Sequence, residues 1–298
     1  MGILLLDKPL GLSSNAALQR VRRLAGGVKA GHTGSLDPLA SGMLPICLGE
    51  ATRIAGEMLA LRKCYQFGVQ LGERSETGDA EGAIVERCAV PALTVAAVEA
   101  VLARFVGAQQ QVPPMYSALK RDGEPLYRLA RRGVTVERAP RALVIDALEL
   151  TMLRHDRLEL RVVCSKGTYV RVLAEDLARA LGSCGRLYSL RREYVEPFAG
   201  APMVGLAQLE AAGGAVGTWP LLPPDRALLH LPALQLAPPA VAALVHGQQV
   251  HGAVAAAALW RLYDADERFL GLGESDAAGS LRVRRLFSDA RAQPAAVP

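Results

Sequence analysis

Apolar and polar residues alternate strictly in the segment 65–71, and this pattern constrains the fold more than any other feature of the chain. A side-chain period of two is that of a β-strand with one buried face. Similar alternation predicts strands at 143–153 and 158–164, whereas apolar residues three and four positions apart predict helices at 14–24 and 95–105. Strands and helices follow one another without regular alternation. This order predicts an α+β protein rather than a doubly wound parallel sheet.

The remaining elements of the first two hundred residues are bounded by Gly and Pro. An apolar run at 3–6 predicts a short buried strand. An apolar face at 170–181 predicts a helix, and Gly182 suits the position just after its end. The segment 26–49 is rich in Gly and Pro and has no sustained period, so we expect a loop. Its apolar residues argue against disorder, and loops of this length in compact domains are usually functional.

The chain is long enough for two domains. Its 298 residues correspond to about two units of average size. Between Trp219 and Pro239 the composition shifts to Pro, Leu and Ala, which marks a boundary. We therefore predict a first domain at 1–225 and a second at 232–298. The second is expected to hold a short helix and three strands, at 241–245, 259–263, 269–272 and 281–287.

Composition and charge favour a globular protein with an anionic partner. Hydrophobic residues make up 51% of the chain and charged residues 21%, which excludes global disorder. The net charge is +5, and 29 of the 34 basic residues are Arg. Arg presents a planar fork that suits phosphate and stacks on bases, which favours nucleic acid as the partner. An Arg-rich composition encoded by a GC-rich genome is the alternative, and charge alone leaves both open.

Several classes of protein lose support from what the sequence does not contain. No run approaches the 18 or so apolar residues of a membrane span, and the apolar start is too short for a signal peptide, so we expect neither membrane nor anchor. Five Cys without a Cys-x-x-Cys pair argue against a disulfide framework and a zinc site, and favour a reducing cytoplasm. Phosphate-loop, dinucleotide, serine-hydrolase and zinc-protease motifs are absent, and the five His are scattered, so we expect no metal.

The segment 31–45 places one carboxylate, Asp37, among glycines and apolar residues. Such a carboxylate can act as a nucleophile or base if water is excluded and a cation keeps it ionised. Alternatively Asp37 caps a turn before Pro38, because Asp-Pro often begins a turn. Composition and spacing leave both interpretations open.

Several ordered motifs resemble those of the bacterial tRNA pseudouridine synthase B (TruB) family. Together they extend from about residue 2 to residue 200, and so many in order make the resemblance highly specific. They are Leu5 to Pro9 with Ser13 to Asn15, the segment 31–45, Cys47 to Thr52, Gln111 to Pro113 with Met115 to Lys120, Cys164 to Arg171, and Leu190 to Arg192.

The resemblance implies a fold, a reaction and a partner. The fold would be the pseudouridine synthase catalytic domain, a mixed and mostly antiparallel sheet with helices around a central cleft. A small β-rich, PUA-like RNA-binding domain would follow it, an assignment that depends on position and on the short-strand pattern. The implied reaction converts uridine 55 in the T loop of tRNA to pseudouridine, by base flipping, cleavage of the bond between C1′ and N1, and rejoining through C5. The family requires no cofactor or metal, and we expect a cytoplasmic monomer that binds tRNA without an obligatory protein partner.

The resemblance also implies residue roles. Asp37 matches the catalytic aspartate, either as a nucleophile at the sugar carbon or as a base that removes a sugar proton. Tyr65 matches the tyrosine that stacks on the target base, although the alternation also suits a core tyrosine. Arg171 would pair with Asp37 and keep it charged, whereas an ordinary helix pair with Glu175 is the alternative. The three further substrate-binding residues that the family suggests are Tyr169, His32 and Leu190.

Nine basic residues could line a phosphate-binding surface, or could simply be solvated helix faces. They are Lys8, Arg20, Arg22, Arg23, Arg128, Arg131, Arg132, Arg191 and Arg192. A tRNA-folding chaperone with catalysis secondary or absent is the alternative function, and it would not need a carboxylate at Asp37. A nucleoside hydrolase is a weaker alternative, since it would need a second acidic residue.

Overall fold

The computed structural model describes residues 2–213, 216–252, 254 and 257–287. The predicted second domain therefore extends, at 288–298, outside the described residues. The strands are β1 Ile3–Lys8, β2 Ala30–His32, β3 Ala40–Leu48, β4 Lys63–Leu71, β5 Glu73–Ser75, β6 Ile84–Arg87, β7 Gly107–Gln111, β8 Lys120–Arg121, β9 Glu124–Pro125, β10 Arg141–Leu153, β11 Arg157–Cys164, β12 Gly185–Val195, β13 Val204–Gly205, β14 Ala233–Gln235, β15 Leu259–Tyr263, β16 Phe269–Ser275 and β17 Leu281–Leu286. The α-helices are α1 Ser14–Leu24, α2 Ala55–Leu59, α3 Val95–Ala103, α4 Leu126–Arg131, α5 Val170–Ala180, α6 Leu206–Ala211 and α7 Pro238–Val245.

A large mixed sheet organises the first two thirds of the chain. Within the described residues it holds nine strands in the order β13-β1-β3-β12-β4-β11-β10-β7, with β2 paired to β3 outside this path. The pairs β1–β13 and β3–β12 are parallel, and the others are antiparallel. This mixed, mostly antiparallel sheet with helices confirms the predicted α+β class.

The predicted strand at 65–71 is β4, and it lies near the centre of the sheet. It has neighbours on both sides, since β11 and β12 both pair with it in antiparallel register. Helix α5 packs against β12 and β4, and its buried side includes Leu173, Leu177 and Ala178. Gly182 follows the helix with φ of +83°, a conformation in which a Cβ would be strained, so this helix end is as predicted.

The prediction that 26–49 is a loop throughout was wrong. The nine residues of β3 form a strand at the centre of the sheet, between β1 and β12, and nearly all of them are buried. The segment was misread because Gly42 and Pro45 are typical of turns. Gly42 has φ of +100°, and a Cβ there would lie 2.2 Å from the carbonyl oxygen of Arg192. A glycine is therefore required where β3 approaches β12.

Helix α1 holds the loop between β2 and β3 in place. Ser13 accepts a hydrogen bond from the backbone of Ala16 and caps the helix. The buried hydroxyl of Ser14 donates to the Leu36 carbonyl at 2.9 Å and accepts from the Leu36 amide at 2.7 Å. Both backbone groups of Leu36 are thus satisfied beside Asp37, which restricts the loop at this point.

A second, four-stranded sheet follows in the order β14-β15-β16-β17, with α7 packed against β17. The predicted helix and three strands of this region are confirmed, while β14 was missed. Leu272 and Phe287 pack into a cluster with Ile3, Leu5 and other residues of the large sheet and its helices. The guanidinium of Arg53 also donates to the Leu286 carbonyl. The two sheets therefore share one apolar contact region.

Cys88 and Cys184 form a disulfide, with Cα atoms 5.7 Å apart. The expectation of a chain without disulfides was wrong for this pair. The two residues are separated by 96 positions in sequence, and only the fold brings them together. Cys47, Cys64 and Cys164 are free and buried. Helices of the described residues are all too short or too polar to cross a membrane.

Candidate active site

A cavity of about 480 Å³ opens over the centre of the large sheet. Its volume lies within the range of ligand sites. Five of the six predicted site residues line it, and they come from four separate segments of the chain. These five are Asp37 from the loop before β3, Tyr65 from β4, Tyr169 and Arg171 from the start of α5, and Leu190 from β12.

Asp37 presents a half-exposed carboxylate to this cavity. Its Oδ2 lies 3.0 Å from Nε of Arg171, whose side chain is 7% exposed. The Arg171 guanidinium also donates to the carbonyls of Thr77 at 2.9 Å and Tyr116 at 2.6 Å. Charge-assisted hydrogen bonds of this kind are strong and fix the position of the guanidinium. The Arg171 side chain therefore holds Asp37 rather than forming the alternative helix pair with Glu175.

Asp79 is a site residue that the sequence analysis missed. Its buried carboxylate lies 3.7 Å from Nε of Arg171, and it is not among the residues that line the cavity. The hydroxyl of Thr77 and the amide of Glu81 donate to its Oδ1. Asp79 follows an exposed turn, and its neighbours show no periodic pattern, so the sequence carried no local signal for a buried carboxylate.

Tyr65 and Leu190 form the floor of the cavity. They lie on adjacent central strands, since Tyr65 opposes Arg192 and Leu190 opposes Phe67 in the β4–β12 register. The Tyr65 side chain is 7% exposed, and burial raises the pKa of its hydroxyl. The tyrosine is thus both a core residue and a cavity residue, so the two interpretations of its pattern do not exclude each other.

Tyr169 stands directly before α5 and is held by Gln111. The Tyr169 amide donates to Oε1 of Gln111 at 3.0 Å, and Nε2 of Gln111 donates back to the Tyr169 carbonyl at 3.4 Å. Burial raises the pKa of the Tyr169 hydroxyl. Gln111 is the first residue of the motif Gln111 to Pro113. Its hydrogen bonds with Tyr169 give this glutamine a structural role.

His32 lies on β2, outside the residues that line the cavity. Its register partner is Ile46 of β3. Burial and the charge of Arg192 both lower the pKa of His32, which favours the neutral ring. The structure therefore does not bring His32 together with the other five predicted residues.

Positively charged side chains outnumber negatively charged ones in the lining of the cavity. Asp37 is the sole carboxylate among the described lining residues. The cations are Lys63, Arg141, Lys166, Arg171 and Arg192. Nζ of Lys63 donates to the Leu61 carbonyl at 2.6 Å, and burial lowers the pKa of this lysine to about 8. An excess of positive charge in a recess favours an anionic ligand.

Two members of the predicted phosphate-binding surface are buried, and the prediction was wrong for them. Lys8 is 0% exposed and donates to the carbonyls of Pro9 and Leu12. Arg192 is 1% exposed. Lys8 lies on β1 and Arg192 on β12. Apolar and polar residues do not alternate regularly in either strand, so the sequence did not show that these two side chains point into the core. Arg191 is partly exposed and pairs with Asp7 at 2.9 Å. The exposed members are Arg20, Arg22, Arg23, Arg128, Arg131 and Arg132.

Comparison with family models gives two matches along the chain. Residues 22–170 match the TruB family pseudouridylate synthase N-terminal domain, and residues 232–287 match the C-terminal domain of pseudouridine synthase II TruB. The tRNA pseudouridine synthase B of Chromohalobacter salexigens is 48% identical over 97% of this chain and 95% of its own. The chain belongs to the TruB family of pseudouridylate synthases.

Other relatives agree with this membership. The protein of the same name from Stutzerimonas stutzeri is 49% identical over 96% of this chain and 95% of its own. That from Aromatoleum aromaticum is 48% identical over 96% and 92%. As a TruB family member the protein is a pseudouridine synthase, and thus an isomerase.

Solved structures with low sequence identity share the fold. The crystal structure of a Cbf5-Nop10-Gar1 complex gives a TM-score of 0.72 at 23% identity, over 98% of this chain and 81% of that one. The structure of an H/ACA RNP bound to a substrate RNA containing 2′-deoxyuridine gives 0.73 at 21% identity, over 96% and 84%. The pseudouridine synthase fold extends over nearly the whole chain.

Proposed function

We propose that this chain isomerises uridine 55 in the T loop of tRNA to pseudouridine, with Asp37 as the catalytic carboxylate. The observation that carries the proposal is the ion pair between Asp37 and the buried Arg171 at the mouth of a cation-lined cavity. The ion pair at 3.0 Å positions the carboxylate, and a bound nucleotide can reach its half-exposed side chain.

The reaction breaks the bond between C1′ and N1 and forms one between C1′ and C5, while C5 loses a proton and N1 gains one. Asp37 either attacks C1′ and forms a covalent sugar intermediate, or removes a sugar proton to give a glycal-like intermediate. In either route the base remains in the cavity, turns and bonds again, so no water is consumed. A single carboxylate suits a rearrangement, because hydrolysis of a glycosidic bond generally uses two.

The other cavity residues bind the flipped nucleotide. Tyr65 stacks on the base, Leu190 packs against it, and Tyr169 contacts the nucleotide. We assign His32 to the space in the T loop that the flipped base leaves. This role is compatible with the position of His32 outside the cavity. A target uridine must leave its stack to enter a recess of this size, so base flipping is part of the proposal.

A tRNA substrate is supported by the names of the curated relatives and by charge. The net charge of +5 and the exposed arginines of α1 and α4 suit phosphate contacts, which add affinity without reading sequence. We assign catalysis to residues 1–225 and additional RNA binding to the PUA-like region 232–298. The protein acts in the cytoplasm as a monomer, without a cofactor or an obligatory protein partner.

The test compares the wild-type protein with Asp37→Ala on an unmodified tRNA transcript. Pseudouridine is mapped at single-nucleotide resolution, and tRNA binding is measured for both proteins. We expect the wild type to modify position 55 and the variant to bind tRNA without modifying it. Modification by Asp37→Ala at the wild-type rate would refute the role of Asp37. If neither protein modifies any uridine but both bind and refold tRNA, the chaperone function replaces the proposal.

A further inference from the structure

Among the described residues, one guanidinium in the lining of the cavity is almost fully buried and has no carboxylate partner. Arg192 is 1% exposed and is the largest of the fully buried side chains. Within the described chain it has no carboxylate partner, although Arg171 pairs with Asp37 and Asp79 and Arg191 pairs with Asp7. A buried unpaired charge is unfavourable, and apolar side chains of similar volume often replace buried ions without loss of stability. The presence of Arg192 therefore needs a reason other than core packing.

The hydrogen bonds of Arg192 join distant parts of the site. Its Nε donates to the Met43 carbonyl at 2.6 Å, and its Nη2 donates to the Gly34 carbonyl at 3.1 Å. Gly34 begins the loop that carries Asp37, and Met43 lies on β3 after that loop. The guanidinium carbon lies 6.0 Å from the centre of the Tyr65 ring, at the limit of cation–π contact. One side chain thus contacts both sides of the Asp37 loop and the floor of the cavity.

The two buried lysines of this region, Lys8 and Lys63, donate hydrogen bonds to nearby residues. Lys8 donates to carbonyls one and four positions away in sequence, and Lys63 to carbonyls two and four positions away. The two bonds of Arg192 extend over 149 and 158 positions. Lys8 and Lys63 therefore bind carbonyls of their own segments, whereas Arg192 joins segments that are distant in sequence.

We propose that Arg192 is a positioning residue that holds the Asp37 loop and the Tyr65 ring in the relative geometry that isomerisation requires. This inference rests on the proposed roles of Asp37 and Tyr65. The rigid fork of a guanidinium can hold two carbonyls at a fixed angle, which the single flexible ammonium of lysine cannot do. Displacement of a reacting group by about 1 Å can reduce a rate by about 100-fold.

The experiment uses Arg192→Met and Arg192→Lys, with Arg186→Met as the matched control. Arg186 lies on the same strand, pairs with Glu73 at 3.1 Å and does not line the cavity. The single-turnover rate constant on saturating unmodified tRNA, the Kd for tRNA and the unfolding midpoint are measured for each protein. Asp37→Ala is included so that the two proposals are tested separately.

We expect Arg192→Met to lower the rate constant by about 100-fold while the Kd stays within about threefold of the wild type. Arg192→Lys should recover only part of the rate, and Arg186→Met should keep it. A folded Arg192→Met with a rate within threefold of the wild type would overturn the positioning role. Equal losses of rate and tRNA affinity would overturn it as well, since they indicate general disruption.

If Arg192→Met does not fold, Arg192→Lys decides. A wild-type rate in the folded lysine variant overturns the proposal, and a lower rate with unchanged Kd supports it. An Asp37→Ala protein with wild-type rate would instead refute the proposed function, whatever the Arg192 variants do.

Discussion

At the scale of single residues, the site combines one accessible carboxylate with several cations that hydrogen bonds hold in place. Asp37 is half-exposed, while its partner Arg171 is buried and bonded to two carbonyls and to Asp79 as well. Several contacts fix the Arg171 guanidinium. It therefore does not need to reorganise while the Asp37 carboxylate reacts. Desolvation is the largest cause of the lowered pKa of both Lys8 and Lys63, and no carboxylate among the described residues is hydrogen-bonded to either.

Burial of Lys63 makes the stability of the protein depend on pH in a defined window. Its pKa falls from 10.5 to about 8, so between these values the unfolded chain binds a proton that the folded chain has lost. The free energy of unfolding contributed by Lys63 therefore rises with pH from about 8 to 10.5. We expect the wild type to gain about 3 kcal/mol relative to Lys63→Met over this window.

Urea unfolding of both proteins at several pH values measures this difference. Lys120→Met, at an exposed position, serves as the control for effects unrelated to burial. A difference between wild type and Lys63→Met that stays constant across the window would contradict the prediction.

At the scale of elements, the central feature is β3. It brings the Asp37 loop against β12, the strand that carries Leu190 and Arg192. The parallel register pairs Arg192 with Gly42, so the backbones meet where the glycine has no side chain. An apolar run with Gly and Pro can therefore form a central strand when a close approach between backbones requires the glycine.

Substitution of this glycine should be far more harmful than that of a glycine in open space. In Gly42→Ala the new Cβ would lie 2.2 Å from the Arg192 carbonyl oxygen, and the φ of +100° would be strained. Backbone strain and overpacking together should lower the free energy of unfolding by about 3 kcal/mol or more. Gly26→Ala, where φ is +71° and no atom lies within 4 Å, should lose only about 1 kcal/mol.

Chemical denaturation of the two variants provides the measurement. Equal losses for Gly42→Ala and Gly26→Ala would show that the φ alone matters and that β3 and β12 can separate at this point.

At the scale of the whole molecule, distant segments are tied together by a few contacts. The first strand pairs with β3 and β13, and the second sheet packs on the first through Leu272 and Phe287. Arg284 and Glu57 add an ion pair of 3.3 Å between these regions. The disulfide from Cys88 to Cys184 joins the turn after α5 to the segment that follows β6.

This disulfide should stabilise the oxidised protein. It closes a chain segment of 96 residues, and cross-links restrict the unfolded chain more when the closed loop is long. Reduction should lower the free energy of unfolding by about 2–4 kcal/mol. Urea unfolding with and without dithiothreitol tests this, and Cys88→Ser should behave like the reduced protein under both conditions. No effect of dithiothreitol on the wild type would contradict the prediction.

The sequence by itself determined the elements whose pattern depends on neighbouring residues. The alternation of β4 and the apolar face of α5 with its terminal glycine were predictable, because each reflects one buried side. The short strands β15 to β17 were predictable from apolar runs bounded by turn residues. The motif around Asp37 was also recognisable from the sequence, because its residues are contiguous.

Only the tertiary structure decided which residues meet across the sheet. It paired Arg171 with Asp37 and Asp79 rather than Glu175, buried Lys8 and Arg192, brought Cys88 to Cys184 and placed His32 outside the cavity. The physical reason is that these contacts join segments far apart in sequence. Their partners depend on which strands are neighbours in the sheet, and local periodicity does not give that order.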